Sequence, residues 1–233
     1  MSLADPHCHT LASDGMVSPA ELVAAAAARH LDLIAVTDHD TMRAAGEVRE
    51  RGQAAGLEVV MGMEVTTRWP ALTHVLGWYL ERPVRSGMSL LDTVDAIHEQ
   101  GGLAVIPHPF MPTWFASCQP GTLARLIQQR ALDGIEIEFS APIPARRKRV
   151  LLRFYRANQE RLGAALGSSD SHFGAHDLGR CATRYEGDFQ AAVRERRTEP
   201  VRSGRRRVPA ALVARQQVKS LLELPLRRLT RRL

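Results

Sequence analysis

The chain has 233 residues, 45% of them apolar and 24% charged, with a formal net charge of +6. This length suits one large α/β barrel, and we see no internal repeat, no low-complexity tract, no apolar run near the roughly 20 residues of a membrane span and no basic-then-apolar leader. The charge is uneven: positions 201–233 carry ten Lys or Arg against Glu223, a surplus of +9 that leaves −3 on the first 200 residues. We therefore expect a catalytic domain over 1–200 and a basic C-terminal helix and tail over 201–233. Cys8, Cys118 and Cys181 are odd in number and widely spaced, which fits reduced thiols in a cytoplasmic protein.

In chain order, Leu3–Cys8 reads as a first strand. Ser18, Pro19 and Glu21 form a helix start with a capping box, and Leu22–Arg29 continues it. Asp32–Thr37 is a buried strand, Thr41–Gln53 a helix and Leu57–Thr66 a strand. Leu72–Tyr79 is a strand, Ser89–Gln100 a helix, Leu103–Pro107 a strand and Thr122–Ala131 a helix. Gly134–Phe139 is a strand, Pro144–Leu162 a helix and Gly163–Ser168 a strand. Seven strands with intervening helices imply a parallel barrel or a doubly wound sheet. Beyond them, 208–224 can form a helix with an imperfect apolar stripe of Leu212, Val213, Gln216, Val218, Leu221 and Leu222. Pro225 then stops it, ahead of Arg227, Arg228, Arg231 and Arg232.

Six of the nine histidines fall in short motifs: His7-Cys8-His9, Asp38-His39-Asp40, Thr73-His74-Val75, Pro107-His108-Pro109 and Ser169-Asp170-Ser171-His172. Asp14, before Gly15, and Glu64, two after Gly62, add carboxylates. Imidazole and carboxylate suit zinc, manganese or iron, with magnesium also compatible, and nine such groups exceed what one ion needs. All but His74 lie at or just past the C-terminal end of a strand, the face on which barrels build active sites. Taken singly, each also has an ordinary reading: polar loop, solvent-facing histidine or satisfied core group. Asp40 reads as a cap for the helix near Thr41. Glu136 and Glu138 are candidates to support the ligands. His30, His98 and His176 have helix-end, helix-face and loop explanations. No Gly-x-Ser-x-Gly elbow, Walker loop or dinucleotide fingerprint competes.

Together the ordered motifs His-x-His, Ser-Asp-Gly, Thr-Asp-His-Asp-Thr, Gly-x-Glu-Val, His-x-Leu-Gly, His-Pro and Ser-Asp-x-His, from His7 to about Gly179, resemble the PHP (polymerase and histidinol phosphatase) family of metal-dependent phosphoesterases. The resemblance implies a distorted seven-stranded (β/α) barrel with two or three divalent ions. One ion would be held by His7, His9, Glu64 and Asp170, a second by Glu64, His74 and His108, and a third by Asp14, His39 and His172. Glu64, Asp170 and His172 would then be catalytic, working on a metal-bridging hydroxide. Arg180 and Arg43 are the candidates for phosphate contact. The small nucleotide phosphatase branch is nearest in pattern, although only 33 residues separate His74 from His108, too few for a lid subdomain. The leading expectation is a phosphomonoesterase for small phosphorylated metabolites. The alternatives are an exonuclease whose basic tail binds DNA or RNA, and a non-catalytic metal-binding module.

Overall fold

The structure is a computed structural model that describes residues 1–113, 116–204 and 207–223. Arg205, Arg206, Pro225 and the tail arginines 227, 228, 231 and 232 lie outside the described residues.

The elements are β1 (Ser2–Cys8), α1 (Pro19–Ala28), β2 (Leu33–Val36), α2 (Ala45–Ala54), β3 (Glu58–Thr66), β4 (His74–Trp78), α3 (Leu90–His98), β5 (Leu103–Ile106), α4 (Pro120–Gln129), β6 (Gly134–Phe139), α5 (Ala145–Leu162), β7 (Ala164–Ser168), β8 (Cys181–Tyr185), α6 (Phe189–Arg194), β9 (Thr198–Arg202) and α7 (Ala210–Val218). A π-helical turn, Lys219–Glu223, extends α7. The first helix starts as its residues dictate: the Ser18 side chain accepts from the Glu21 N–H, and the Glu21 carboxylate accepts the Ser18 N–H.

One nine-stranded mixed sheet runs β7-β6-β5-β4-β3-β2-β1-β8-β9. This corrects the expected count of seven and the expectation of uniformly parallel strands. β4 is antiparallel to both β3 and β5, and β8 is antiparallel to both β1 and β9. The sheet curls until it nearly closes. Thr183 Oγ1 on β8 donates to the Gly167 carbonyl of β7 (2.7 Å) and accepts the Gly167 N–H (2.9 Å), while Thr198 Oγ1 on β9 donates to Ala165 O (2.8 Å). Only glycine fits at 167, because a Cβ there would sit 2.2 Å from the Ala182 carbonyl. Leu33, Ala35, Val60, Leu76, Trp78, Val105 and Leu166 pack with Phe189, Ala192 and Val193 of α6, filling the barrel. The boundary expected at residue 200 falls inside β9.

The expected helix at Thr41 begins later, at Ala45, with Ala44 as a cap that makes no side-chain bond. Asp40 is therefore not the cap. It adopts a left-handed backbone (φ 54) and its carboxylate accepts the Thr66 N–H at 2.8 Å, tying the end of β2 to the end of β3. The stripe expected along the C-terminal helix is also inverted in part. Val213, Val218, Leu221 and Leu222 are exposed, whereas Gln216 and Lys219 are buried.

All three cysteines are free and buried. Burial pushes the thiols up, Cys118 to about 12, Cys181 to about 11 and Cys8 well above its ordinary value. Only the thiolate reacts, and at pH 8 a thiol of pKa near 11 is ionised in roughly one molecule per thousand. We expect an aromatic disulfide reagent at pH 8 to label none of the three rapidly in the native protein and all three in denaturant. One fast-reacting thiol in the native chain would contradict this burial.

Candidate metal centre

The strand directions bring the histidines and carboxylates to one end of the barrel. His7 and His9 end β1, and His39 follows β2. Glu64 lies near the end of β3, His108 follows β5, and Asp170 and His172 follow β7. His74 looked misplaced as a strand-interior residue. Because β4 runs backwards, His74 starts that strand and pairs with Thr66, the last residue of β3. Arg180 reaches the same end for the same reason, preceding the antiparallel β8.

Glu64 is the hub. Its Oε1 lies 2.7 Å from His74 Nδ1 and 3.0 Å from His108 Nε2. Its Oε2 lies 3.2 Å from His7 Nε2, 3.2 Å from His9 Nε2 and 3.3 Å from His39 Nδ1. Burial alone would raise this carboxyl, but the imidazoles of His39, His74 and His7 hold it well below the usual carboxylate range. Asp170 Oδ1 lies 3.1 Å from His9 Nε2 and 3.3 Å from His7 Nε2. Asp14 Oδ1 lies 3.2 Å from His172 Nε2 and 3.8 Å from both His9 Nδ1 and His39 Nε2.

Three overlapping groups result, each with its donor atoms within 4.8 Å of one another: His7, His9, Glu64 and Asp170; His9, Asp14, His39 and His172; and His39, Glu64 and His74. The fit to cations rests on donors left facing each other. His7 Nε2 and His9 Nε2 are only 3.1 Å apart. Among the described residues, Asp14 Oδ1, His39 Nδ1 and His74 Nδ1 are buried and find no hydrogen-bond partner. Unpaired buried donors and acceptors are costly and uncommon, and a divalent ion satisfies such a set. His39 is also pushed down by burial to about 3, against the pull of Glu64 and Asp14, so its imidazole is neutral and free to ligate.

A second ring of groups sets these side chains. Glu136 is fully buried, accepting from His7 Nδ1 (2.8 Å), Ser168 Oγ (2.5 Å) and the His108 N–H (2.7 Å). With Nδ1–H committed to Glu136, a neutral His7 points the lone pair of Nε2 into the site. Glu138 does something else: its carboxylate pairs with Lys148 (2.8 Å) and Arg202 (2.5 Å). Asp38 accepts from the Thr10 N–H, Thr10 Oγ1 and Ser13 Oγ, fixing the turn that presents Asp14. Gly15 completes that turn, because any Cβ there would meet the His9 carbonyl carbon at 2.5 Å.

The PHP domain profile matches residues 5–100. An uncharacterized protein of Methanocaldococcus jannaschii is 32% identical over 145 residues, covering 58% of this chain and 80% of the relative. The chain belongs to the PHP family. As a PHP protein it is a metal-dependent phosphoesterase, hence a hydrolase. A 5'-3' exoribonuclease of Haemophilus influenzae is 32% identical over 102 residues, 43% of this chain and 37% of the relative. A 3',5'-nucleoside bisphosphate phosphatase of Chromobacterium violaceum is 36% identical over 78 residues, 33% of this chain and 27% of the relative. The chain thus spans well under half of either characterised enzyme. Among solved structures, a two-domain Bacteroides vulgatus protein containing a predicted PHP-like metal-dependent phosphoesterase superposes with a TM-score of 0.73 at 21% identity, over 94% of this chain and 69% of that one.

Asp14, His39, Glu64, His74, His108, Asp170 and His172 line a cavity of about 620 Å³ together with Arg180, Ser140, Phe173 and, from the C-terminal segment, Val213, Gln216 and Ser220, whereas His7 and His9 are fully buried and do not line it. Arg43 is not among the lining residues; it is exposed, and its Nη2 donates to Ala12 O at 3.3 Å. Sequence reasoning missed three supporting groups. Asp5 accepts the Ser169 and Gly179 N–H groups (2.9 and 2.7 Å) and the Ser169 hydroxyl. Asp177 accepts the Ser171 hydroxyl and the N–H groups of His172 and Phe173. Gln216 donates to Asp14 Oδ2. A carboxylate inside the otherwise apolar start of β1 was a signal for Asp5; Asp177 and Gln216 carried none. Among the described residues, no helix is long and apolar enough to cross a membrane.

Proposed function

We propose that this chain hydrolyses phosphomonoesters of small molecules, nucleotides or related metabolites, with two or three divalent ions held by His7, His9, Asp14, His39, Glu64, His74, His108, Asp170 and His172. The observation that carries this reading is the sharing of Glu64 between two of the ligand groups, with Oε1 toward His74 and His108 and Oε2 toward His7, His9 and His39, at the wall of a nucleotide-sized cavity. Ions bound there lower the pKa of water towards neutrality and neutralise phosphate oxygens. The chain's own part is positional. Glu64 sets the spacing of two sites, Asp170 and His172 complete the two ends of the cluster, and Glu136 orients His7. Arg180, on the cavity wall, is the candidate to hold a non-bridging phosphate oxygen bidentately. The manganese, iron or zinc preference of the site follows from its mixed imidazole and carboxylate donors.

The second reading is a 5'-end exonuclease using the same ions. It is favoured by the exoribonuclease likeness and by a second cavity of about 430 Å³ that shares Ser140, Ala141, Pro142 and Arg180 with the first and continues towards Arg202. Against it, the first 200 residues carry a net −3, whereas a polymer track needs cationic residues along it.

The test is a panel: Mn²⁺-loaded protein with nucleoside monophosphates, nucleoside 3',5'-bisphosphates, sugar phosphates and 5'-phosphorylated oligonucleotides. We expect phosphate release from small esters with kcat/KM exceeding that on oligonucleotides. Mononucleotides released processively from oligonucleotides, with no turnover of small esters, would replace the first reading by the second.

A further inference from the structure

The C-terminal segment is the part of this molecule that the charge pattern reads as an appendage, yet two of its side chains are buried against the loop that presents Asp14. Gln216 Nε2 donates to Asp14 Oδ2 at 3.0 Å. Lys219 Nζ, one turn on, donates to the Gly15 carbonyl at 2.8 Å and to the Leu11 carbonyl at 3.4 Å. Gln217 Nε2 in turn donates to Gln216 Oε1 at 2.9 Å, fixing the orientation of the Gln216 amide. The apolar side chains around them, Val213, Val218, Leu221 and Leu222, are exposed. Of the apolar residues on this helix only Leu212 is half-buried, near Met16, Val17 and Phe173, so the fully buried contacts that hold the helix to residues 11–15 are the polar ones of Gln216 and Lys219.

The clasp has a chemical consequence. A carboxylate offers two oxygens, and on Asp14 they are divided. Oδ2 is occupied by the Gln216 amide, while Oδ1 is buried, finds no hydrogen-bond partner among the described residues and faces His172, His9 and His39. Without Gln216, Asp14 could rotate about χ2 or turn both oxygens inward. With it, one oxygen is delivered to the three imidazoles in a fixed direction. This is the outer-layer orientation that metal-binding carboxylates require, here supplied from 202 positions away in the chain.

We propose that Gln216 is a positioning residue for the Asp14, His39 and His172 end of the metal cluster, so that docking of α7 and occupancy of that end are coupled. The inference rests on the metal-dependent reading above. The experiment reads metal binding rather than turnover, so that the two can fail separately.

Full-length protein is stripped of metal and titrated with Mn²⁺, with bound equivalents and affinities measured by calorimetry and equilibrium dialysis. Four proteins are compared: wild type, Gln216→Leu, Asp14→Asn and the double variant. We expect Gln216→Leu to weaken one equivalent by 10–100-fold, the usual cost of losing a group that orients a ligand, and to leave the others as in wild type. Asp14→Asn should weaken the same equivalent, and the double variant should lose no more than Asp14→Asn alone, because Gln216 acts through Asp14. Arg215→Ala, exposed on the same helix, should match wild type. If Gln216→Leu fails to fold, as judged by circular dichroism, Gln216→Met carries the same test with a longer, more adaptable side chain. Wild-type affinities in the folded variant, or losses that add in the double variant, overturn the proposal. A wild-type chain that binds no metal overturns the functional reading beneath it as well.

Discussion

Glu64→Gln should abolish most of the activity while leaving the barrel folded. We expect kcat/KM on the best phosphomonoester to fall by at least about 100-fold, or about 2.7 kcal/mol of transition-state stabilisation. The reason lies in the five ring nitrogens around one side chain, two within 3.0 Å of Oε1 and three within 3.3 Å of Oε2. A carboxamide keeps the shape but replaces one oxygen by an NH₂ group. Whichever way it lies, that group presents hydrogens to one set of imidazoles where two neighbouring ions would share a carboxylate. The negative charge that offsets two cations is lost as well. Metal analysis of the purified variant should show fewer equivalents than wild type, and a thermal melt checks the fold. Turnover and metal content near wild type would show that Glu64 does not bridge, and would remove the main support for a shared-ion site.

Much of this site was legible before the fold was known, for a physical reason. Residues that hold cations are hydrophilic groups placed next to buried apolar strands, and such placements stand out: His7 and His9 after an apolar start, Asp38-His39 after Leu-Ile-Ala-Val-Thr, Glu64 after Val-Val-Met-Gly-Met. Strand direction is a different matter. An apolar run says that a segment is buried, not which way it points, so the sequence places His74, a candidate ligand by its motif, inside a strand, and the antiparallel direction of β4 is what puts it at the site end of the barrel. The two strands beyond β7 were hidden by their composition. Thr198–Arg202 is short and polar and contains Pro200, which reads as a loop and is tolerated because β9 is the sheet's edge. With β9 unseen, its arginine was counted with the tail, whereas Arg202 in fact pairs with Glu138 of β6.

Contacts between distant positions were the least visible. Nothing in Ala-Arg-Gln-Gln-Val marks Gln216 as a partner of Asp14, and helical periodicity assigned it to an apolar stripe whose other members include exposed residues. Asp40 shows the same limit at short range. Its chemistry suits a helix cap, but a left-handed backbone turns it to the end of β3 instead. Left-handed non-glycine residues recur around the site, at Asp40, His108 and Asp170. Such backbone is held only where surrounding bonds over-determine it, as the His108 N–H to Glu136 bond does here.

Glu136 and Glu138 are equivalent by sequence, two apart on one strand, and the structure separates them sharply enough to predict different outcomes. Glu136→Gln should weaken metal binding at the His7 end by 10–100-fold, with a comparable loss of activity, and should cost roughly 1–3 kcal/mol of folding stability. Its carboxylate accepts three hydrogens, and an amide accepts at one end only. If the NH₂ takes the place of Oε2, it confronts the His108 N–H at 2.7 Å. If it takes the place of Oε1, it confronts His7 Nδ1 at 2.8 Å, and His7 can relieve the clash only by moving its proton to Nε2. That puts a hydrogen on the nitrogen that faces His9, Glu64 and Asp170, so the ligand is lost without touching any residue that would contact an ion. Glu138→Gln alters a partly exposed pair with Lys148 and Arg202 and should leave metal affinity unchanged. Calorimetric Mn²⁺ titration of both variants, with chemical denaturation of each, distinguishes the cases. Equal affinities for Glu136→Gln and wild type would show that His7 does not depend on Glu136 for its tautomer, and the orienting role assigned to that carboxylate would have to be withdrawn.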